Sequence, residues 1–408
     1  MTPPPGPSWH ESVQLRPSPH PYAAMLAICS DLDETPDARV YFATARYLNT
    51  TEATSMGPGL GLEVGNTMYF DMPPSQFAYW NTNDGGREDI RTLMRSGHVD
   101  CFHSFGDLAT SRAHAARTLD ELDRHACRLA VWIDHAVAPT NFGADIMKGT
   151  GDVPGAPAYH ADLTVGFGVR YVWRGRVTSV TGQDVPRRLG GIFDRQHPLA
   201  SARTLTREAA KGVVGSLGVT KYAIHAPNRL LRRVTLRDGQ PVLEFLRANP
   251  YWQAVDKGET ADGLAGVLTP ALLDRLVARR GWMILYTHLG KVRNRDAPFA
   301  PATRLALERL AEAYRAGRVL VTTTRRLLDH ARERDEASWE WRQREGALEI
   351  HLSTPGDGAG LGFAVEDPER TLLVVNGAPA GRTVRAPTTS GRPGYVGLPW
   401  DRLEFPRL

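Results

Sequence analysis

What most constrains this chain is a repeated alternation. A segment of helical period ends at or near a glycine and feeds a short apolar run. "TPALLDRLVARRG" has proline near its start and glycine at its end, and leads into "WMILYTH". "PATRLALERLAEAYRAGR" leads into "VLVTTT", and "SRAHAARTLDELDRHACR" leads into "LAVWI". "ARVYFATARYLN" and "REDIRTLMRSG" also read as helices, the second closed by Gly97. "AAMLAICS", "VDCF" and "GVRYVW" read as strands. Such alternation predicts an α/β fold with a mainly parallel sheet.

Periodicity does not separate an open sheet from a barrel, but the polar residues that follow the strands bear on the choice. Asp31 and Asp33 follow the first strand, His103 follows "VDCF", Asp134 and His135 follow "LAVWI", and His288 ends "WMILYTH". Polar groups gathered at the C-terminal ends of several strands are what a barrel active site needs, because those ends meet at one mouth. The expected division is a Pro-rich arm over 1–20, an α/β barrel over 21–335 and a small antiparallel β module over 336–408. The module is read from "ALEIHLS", "GLGFAVE" and "TLLVVNG", short runs split by turn residues. The span 181–262 is the least readable, apart from a hairpin in "LRDGQPVLEFLRA" with Asp238-Gly239 at its turn.

Composition narrows the function classes. Lys plus Arg is 49 against 45 for Asp plus Glu, a net charge of +4, and no dense basic run is interleaved with aromatics. Nucleic acid is therefore not an expected partner. Three cysteines without a CxxC pair predict reduced thiols. The proline-rich start lacks the basic and apolar regions of a signal peptide, and no run approaches the ~18 apolar residues of a membrane span. The expectation is a cytoplasmic protein that acts on a small molecule or glycan, away from membranes.

The densest chemistry lies in "GHVDCFHSFGD", Gly97 to Asp107. Together with "ICSDLDET" and "YTH", in that order, it resembles the polysaccharide deacetylases, carbohydrate esterase family four. That family carries Phe-Asp-Asp-Gly after its first strand, then a Gly-His-x-x-x-x-His-Ser/Thr-x-x-His run, and a Leu-x-His element near the end of the barrel. Gly97, His98, His103 and Ser104 match the second signature without a gap, and Asp107 stands where the family places its second metal-binding histidine. The resemblance runs from about Ala23 to His330 and implies an irregular, seven-stranded barrel. The chain departs from the pattern in two places. Its two aspartates, Asp31 and Asp33, are separated by Leu32, and "WIDHAVAPTN" stands in the slot of an Arg-x-Pro-Tyr element.

The residues also carry the chemistry on their own terms. Amide hydrolysis near neutral pH needs an activated water and a polarised carbonyl, and a divalent metal supplies both. It needs about three protein ligands and an open position. Asp33, His103 and Asp107 are the expected ligands, with His103 and Asp107 on one face if a helical turn starts after "VDCF". Asp31 is the expected base and His288 the donor to the leaving nitrogen. One divalent ion is expected, zinc first, with Mn, Co and Fe as alternatives for so hard a ligand set.

Other residues have weaker claims. His98 reads as a buried hydrogen-bonding histidine that supports its strand. Asp134 and His135 read either as supports or substrate contacts, or as helix-capping and core polar groups. His160 lies at a helix start, where a solvated face competes with a substrate role. Trp132 and Trp173 could stack on a sugar ring, although tryptophans in strand patterns usually pack in the core. Two other functions compete with the hydrolase: a barrel that binds carbohydrate without a metal, and a glycoside hydrolase using Asp31 or Asp33 with Asp134.

Overall fold

Every residue of the strand Ala24–Ser30 is buried, and its side chains alternate between two cores. Ala24, Leu26 and Ile28 pack with Leu272, Leu276, Leu307 and Leu310 of the helices Pro270–Arg279 and Pro301–Arg315. Met25, Ala27 and Cys29 face the other way and pack with Cys101, Val131, Ile133 and Ile284. Successive strand residues point to opposite faces, so a strand covered on both sides must be apolar throughout.

The computed structural model describes residues 13–186, 192–193, 198–225, 227–249, 260–344, 346–390 and 392–408. Residues 1–12 of the expected arm lie outside this set. The fold is α/β, built on parallel sheets, and among the described residues no helix is long and apolar enough to cross a membrane. A five-stranded sheet is parallel throughout, in the order Val319–Thr322, Ala24–Ser30, Trp282–Thr287, Arg247–Ala248 and Val177–Thr178. A six-stranded sheet runs Leu231–Thr235, Pro241–Phe245, Tyr171–Trp173, Val131–Ile133, Val99–His103 and Asn66–Met68. It is parallel except for the hairpin that pairs Leu231–Thr235 with Pro241–Phe245. Gly239 sits at that hairpin's turn with φ of +93°.

The two sheets are joined in two ways. The segment 241–248 leaves the six-stranded sheet as Pro241–Phe245 and enters the five-stranded one as Arg247–Ala248. Asn66–Met68 runs beside Ala24–Ser30, where the Thr67 hydroxyl donates to the Ser30 carbonyl at 2.9 Å. The alternation read from the sequence therefore appears as strands and helices in the expected places. The helix Pro198–Ser216, inside the unreadable span, was not expected.

After the helix Thr324–Glu336 the chain forms two four-stranded sheets around Ile350, Leu352, Phe363, Leu373 and Val396. This module differs from the expected one in two respects. Gln14–Leu15, from the expected arm, adds a strand to Gly362–Val365. Ala347–Ser353 and Thr371–Val375 pair in parallel, so the module is not wholly antiparallel. Between them the chain crosses to the other sheet as Gly362–Val365 and returns in its original direction.

The last residues fold back onto the α/β sheets. Arg402 donates to the carbonyls of Asn49 and Leu62 at 3.1 and 2.9 Å, and the Phe405 ring meets that of His98. Buried Glu63 accepts from the Leu403 amide at 2.8 Å, from Arg326 at 2.6 and 2.7 Å, and from the Thr322 hydroxyl. One carboxylate thus holds a strand end, a helix and the chain terminus. Glu63→Ala should destabilise the fold by about 3–5 kcal/mol, because it removes the carboxylate that pairs with Arg326. A urea titration should show a lower midpoint at unchanged slope.

Candidate metal centre

The inward rows of side chains continue past the strand ends. Met25, Ala27 and Cys29 face the interior, and Asp31 is next in that row. Cys101 is followed by His103, Ile133 by His135, Phe245 by Arg247, and Ile284 by Tyr286 and His288. The two-residue period of a strand brings these groups to one place. Asp33 joins them from a turn in which Glu34 has φ of +58°.

At the base of the site, Arg247 donates to both oxygens of Asp31, at 2.6 and 2.8 Å. Both side chains are buried. The guanidinium lies 3.5 Å from the centre of the Trp173 ring and 4.3 Å from that of Tyr286. Burial alone would raise the Asp31 pKa, but the Arg247 charge overrides it and holds the carboxyl below the usual carboxylate range. His103 Nε2 lies 3.5 Å from Asp31. Burial pushes the His103 pKa down to about 4, and among the described residues its Nδ1 has no hydrogen-bond partner.

Asp33 accepts hydrogen bonds from the Tyr69 hydroxyl at 2.7 Å and His288 Nε2 at 2.9 Å, and pairs with His135 Nε2 at 2.6 Å. Burial opposes its charge, but His103, His135 and His288 outweigh it and hold the carboxyl well below the usual range. His135 Nδ1 lies 3.0 Å from Asp107. Burial disfavours the imidazolium, yet the bonds to Asp107 and Asp33 lift the His135 pKa to about 10. Side-chain exposure falls from 41% at Asp107 to 17% at His135 and 3% at His288. The site therefore opens to solvent on the Asp107 side.

Asp31, Asp33 and His288 offer ligand atoms that all lie within 4.8 Å of one another, close enough to hold a metal ion. The expected trio was Asp33, His103 and Asp107. His103 borders the same space, but Asp107 stands behind His135. The physical reason is local: no helical turn follows His103. The chain turns at Ser104 and Gly106, with φ of +48° and +100°, and the next helix is Arg112–Arg124. A Cβ on Gly106 would lie 2.3 Å from the Asp71 carbonyl, so only glycine fits that turn.

The remaining candidates, Trp173 excepted, are placed elsewhere. His98 bonds to Ser96 at 3.0 Å, at the opposite end of its strand and about 16 Å from His103. Asp134 belongs to the outward row. It accepts from Trp132 Nε1 at 2.7 Å and from the Phe142 and Gly143 amides at 2.8 and 2.7 Å. Burial raises its pKa to about 7 even so. His160 is buried rather than solvated, between Thr164 Oγ1 and the Thr140 carbonyl at 2.8 Å each. Trp132 packs against Phe142 in the core, and Trp173 is covered by Arg247.

Sequence reading missed Tyr69 and Arg247. Tyr69 follows a three-residue strand that is too short to register as a pattern. Arg247 did carry a signal, since it is a charge in the inward row of an apolar strand.

Two predictions follow from this wiring. Arg247→Met should destabilise the fold by about 3–5 kcal/mol by leaving Asp31 charged and unpaired. Adding Asp31→Asn should recover part of that loss in the double variant, as measured by urea denaturation. Burial also lowers the pKa of His98, His160 and His330 to about 4 each. Between that value and 6.5 the unfolded chain binds more protons than the folded one, so stability should fall as pH drops through this window. His160→Gln should flatten the slope by about 1.4 kcal/mol per pH unit relative to the parent. An unchanged slope would mean that His160 is charged in the fold.

Comparison of the chain with protein-family models, curated proteins and solved structures finds no match.

Proposed function

We propose that this chain is a metal-dependent hydrolase that removes an acetyl or related acyl group from an amino sugar or another small amide. The observation that carries the reading is the convergence of Asp31, Asp33 and His288 at the C-terminal ends of parallel strands, with His103 and His135 beside them. The resemblance to the polysaccharide deacetylases agrees with it. In this reading the two sheets together form an irregular barrel. They share a continuous segment at 241–248, adjoin at Asn66–Met68, and enclose one core between them.

The donor set fits a divalent ion. Two carboxylates and imidazole nitrogens suit zinc, and suit Mn, Co or Fe as well. In this reading Asp33 and His288 would hold the ion, and Asp31 would serve as the base beside them. Such an ion lowers the pKa of a water and polarises an acyl carbonyl. Asp31, kept ionised by Arg247, accepts a proton. His135, oriented by Asp107 through Nδ1, is placed to donate one to the leaving nitrogen. Tyr69 steadies Asp33 and His103 through its hydroxyl and its ring. Compared with the reading from sequence, His288 moves from donor to ligand and Asp107 from ligand to the partner of His135.

A second reading has its own support. Each carboxylate here already faces a cationic or donor group, so the carboxylates are satisfied without a metal. That favours a carbohydrate-binding relative without catalysis. The glycosidase reading lacks such support, because Asp134 is spent on its own loop.

Calorimetric titration of chelator-treated protein with Zn, Mn, Co and Fe(II) separates these readings. The expected outcome is about one ion per chain, with Asp33→Ala and His288→Ala each weakening binding at least ~100-fold and Asp107→Asn weakening it about 10-fold. A chelator-sensitive deacylation of N-acetylglucosamine derivatives should accompany it. Protein that binds no ion, or an Asp33→Ala variant with undiminished affinity, would favour the non-catalytic reading.

A further inference from the structure

A second concavity opens beside the metal centre. It is a cavity of about 300 Å³ lined by Ile146, Met147, Trp173, Val177, Tyr222 and Tyr286. It lies at the same ends of the strands: Trp173 ends Tyr171–Trp173, and Tyr286 lies in Trp282–Thr287. Tyr286 links the two sites. Its ring meets that of His288 edge-on at 5.2 Å and stacks on Trp173 at 5.9 Å.

The outer wall is built with care for shape. Asp134 anchors the loop at Phe142 and Gly143, and Arg176 grips Asp145 at 2.9 and 3.0 Å. Ile146 is thereby pressed over Gly175, where a Cβ would come within 2.5 Å of Ile146 Cγ2. Ile146 remains 37% exposed, an apolar side chain held at the rim. Lys211 also borders the cavity, but its ammonium bonds to Glu208 at 2.8 Å and to the Val177 carbonyl at 3.0 Å. Lys221 lies at the edge, over the Tyr222 ring. Ser179, His225 and Asn249 also border the cavity, but the surface it exposes is mainly apolar, so the hydroxyls of a sugar would go largely unmatched, and unmatched polar groups are costly to bury. An acetyl methyl would leave most of the space empty.

We infer that this cavity receives the acyl chain of the substrate, and that the chain is aliphatic and longer than acetyl. The inference rests on the hydrolase reading above and names its substrate class: medium-chain N-acyl amides. In the reaction the amide C–N bond breaks, and water gives its OH to the acyl carbon and a proton to the leaving nitrogen.

Two measurements test this separately from the hydrolase reading. The first is binding of butanamide, hexanamide and octanamide to the full-length, metal-free protein by calorimetry. Affinity should rise about four-fold per added methylene until the cavity is full. Ile146→Trp should flatten that series, while Ile146→Ala should keep it, with melting curves confirming that both variants fold. The second is hydrolysis of N-acylglucosamines from acetyl to octanoyl by the metal-loaded protein, where kcat/KM should rise in the same way. A flat affinity series, or a slope that survives Ile146→Trp, overturns the cavity assignment. Hydrolysis with no preference for longer chains overturns it as well and leaves the hydrolase reading standing. A steep binding series without hydrolysis of any member supports the cavity and overturns the hydrolase reading.

Discussion

The structure depends above all on the buried pair between Arg247 and Asp31. Taking two charges out of water costs several kcal/mol per ion, and only close, well-formed hydrogen bonds repay it. Here the two terminal guanidinium nitrogens meet both carboxylate oxygens, and the faces of Trp173 and Tyr286 cover the cation. Arg247 stands where one strand passes from the six-stranded sheet to the five-stranded one, and Asp31 directly follows Ala24–Ser30, an inner strand of the latter. The pair therefore ties the crossing point to an inner strand of that sheet. It also places a fixed positive charge beside any metal ion. That charge repels a divalent cation and keeps Asp31 ionised, so such an ion would depend mainly on Asp33.

Around that pair the polar groups form a sequence in depth. Asp107 touches solvent and His135, His135 touches Asp33, and Asp33 touches His288 and Tyr69. Carboxylate and imidazole alternate, so each charge faces an opposite charge or a donor. A metal would replace some of these contacts rather than fill an empty cage. The hydrolase and the metal-free binder differ in whether that exchange is favourable, which is an energetic question about one cluster.

Asp134 has a different part. It lies one residue from His135 yet faces the other side of the strand, where it holds the loop that carries Ile146 and Met147. Its three N–H donors are those of a structural anchor. Through that loop a buried carboxyl shapes the wall of a cavity that it does not touch.

The alternation of helical and apolar segments already specified an α/β chain with a parallel sheet, because each segment states its own period locally. It also marked Asp31, Asp33, His103, His135 and His288 as groups at strand ends. Parity along a strand separates His135 from Asp134, and it was there to be read in "VWIDH". What local pattern could not state was partnership. Arg247 meets Asp31 across 216 residues, and His288 meets Asp33 across 255. Asp107 was expected beside His103 through an assumed helical turn, but left-handed backbone at Ser104 and Gly106 sends it behind His135. The order of the strands, the union of the arm with the C-terminal sheets and the grouping of ligands all follow from which strand ends lie side by side. Only the tertiary structure decides that, because such contacts depend on long-range packing and not on the period of any one segment.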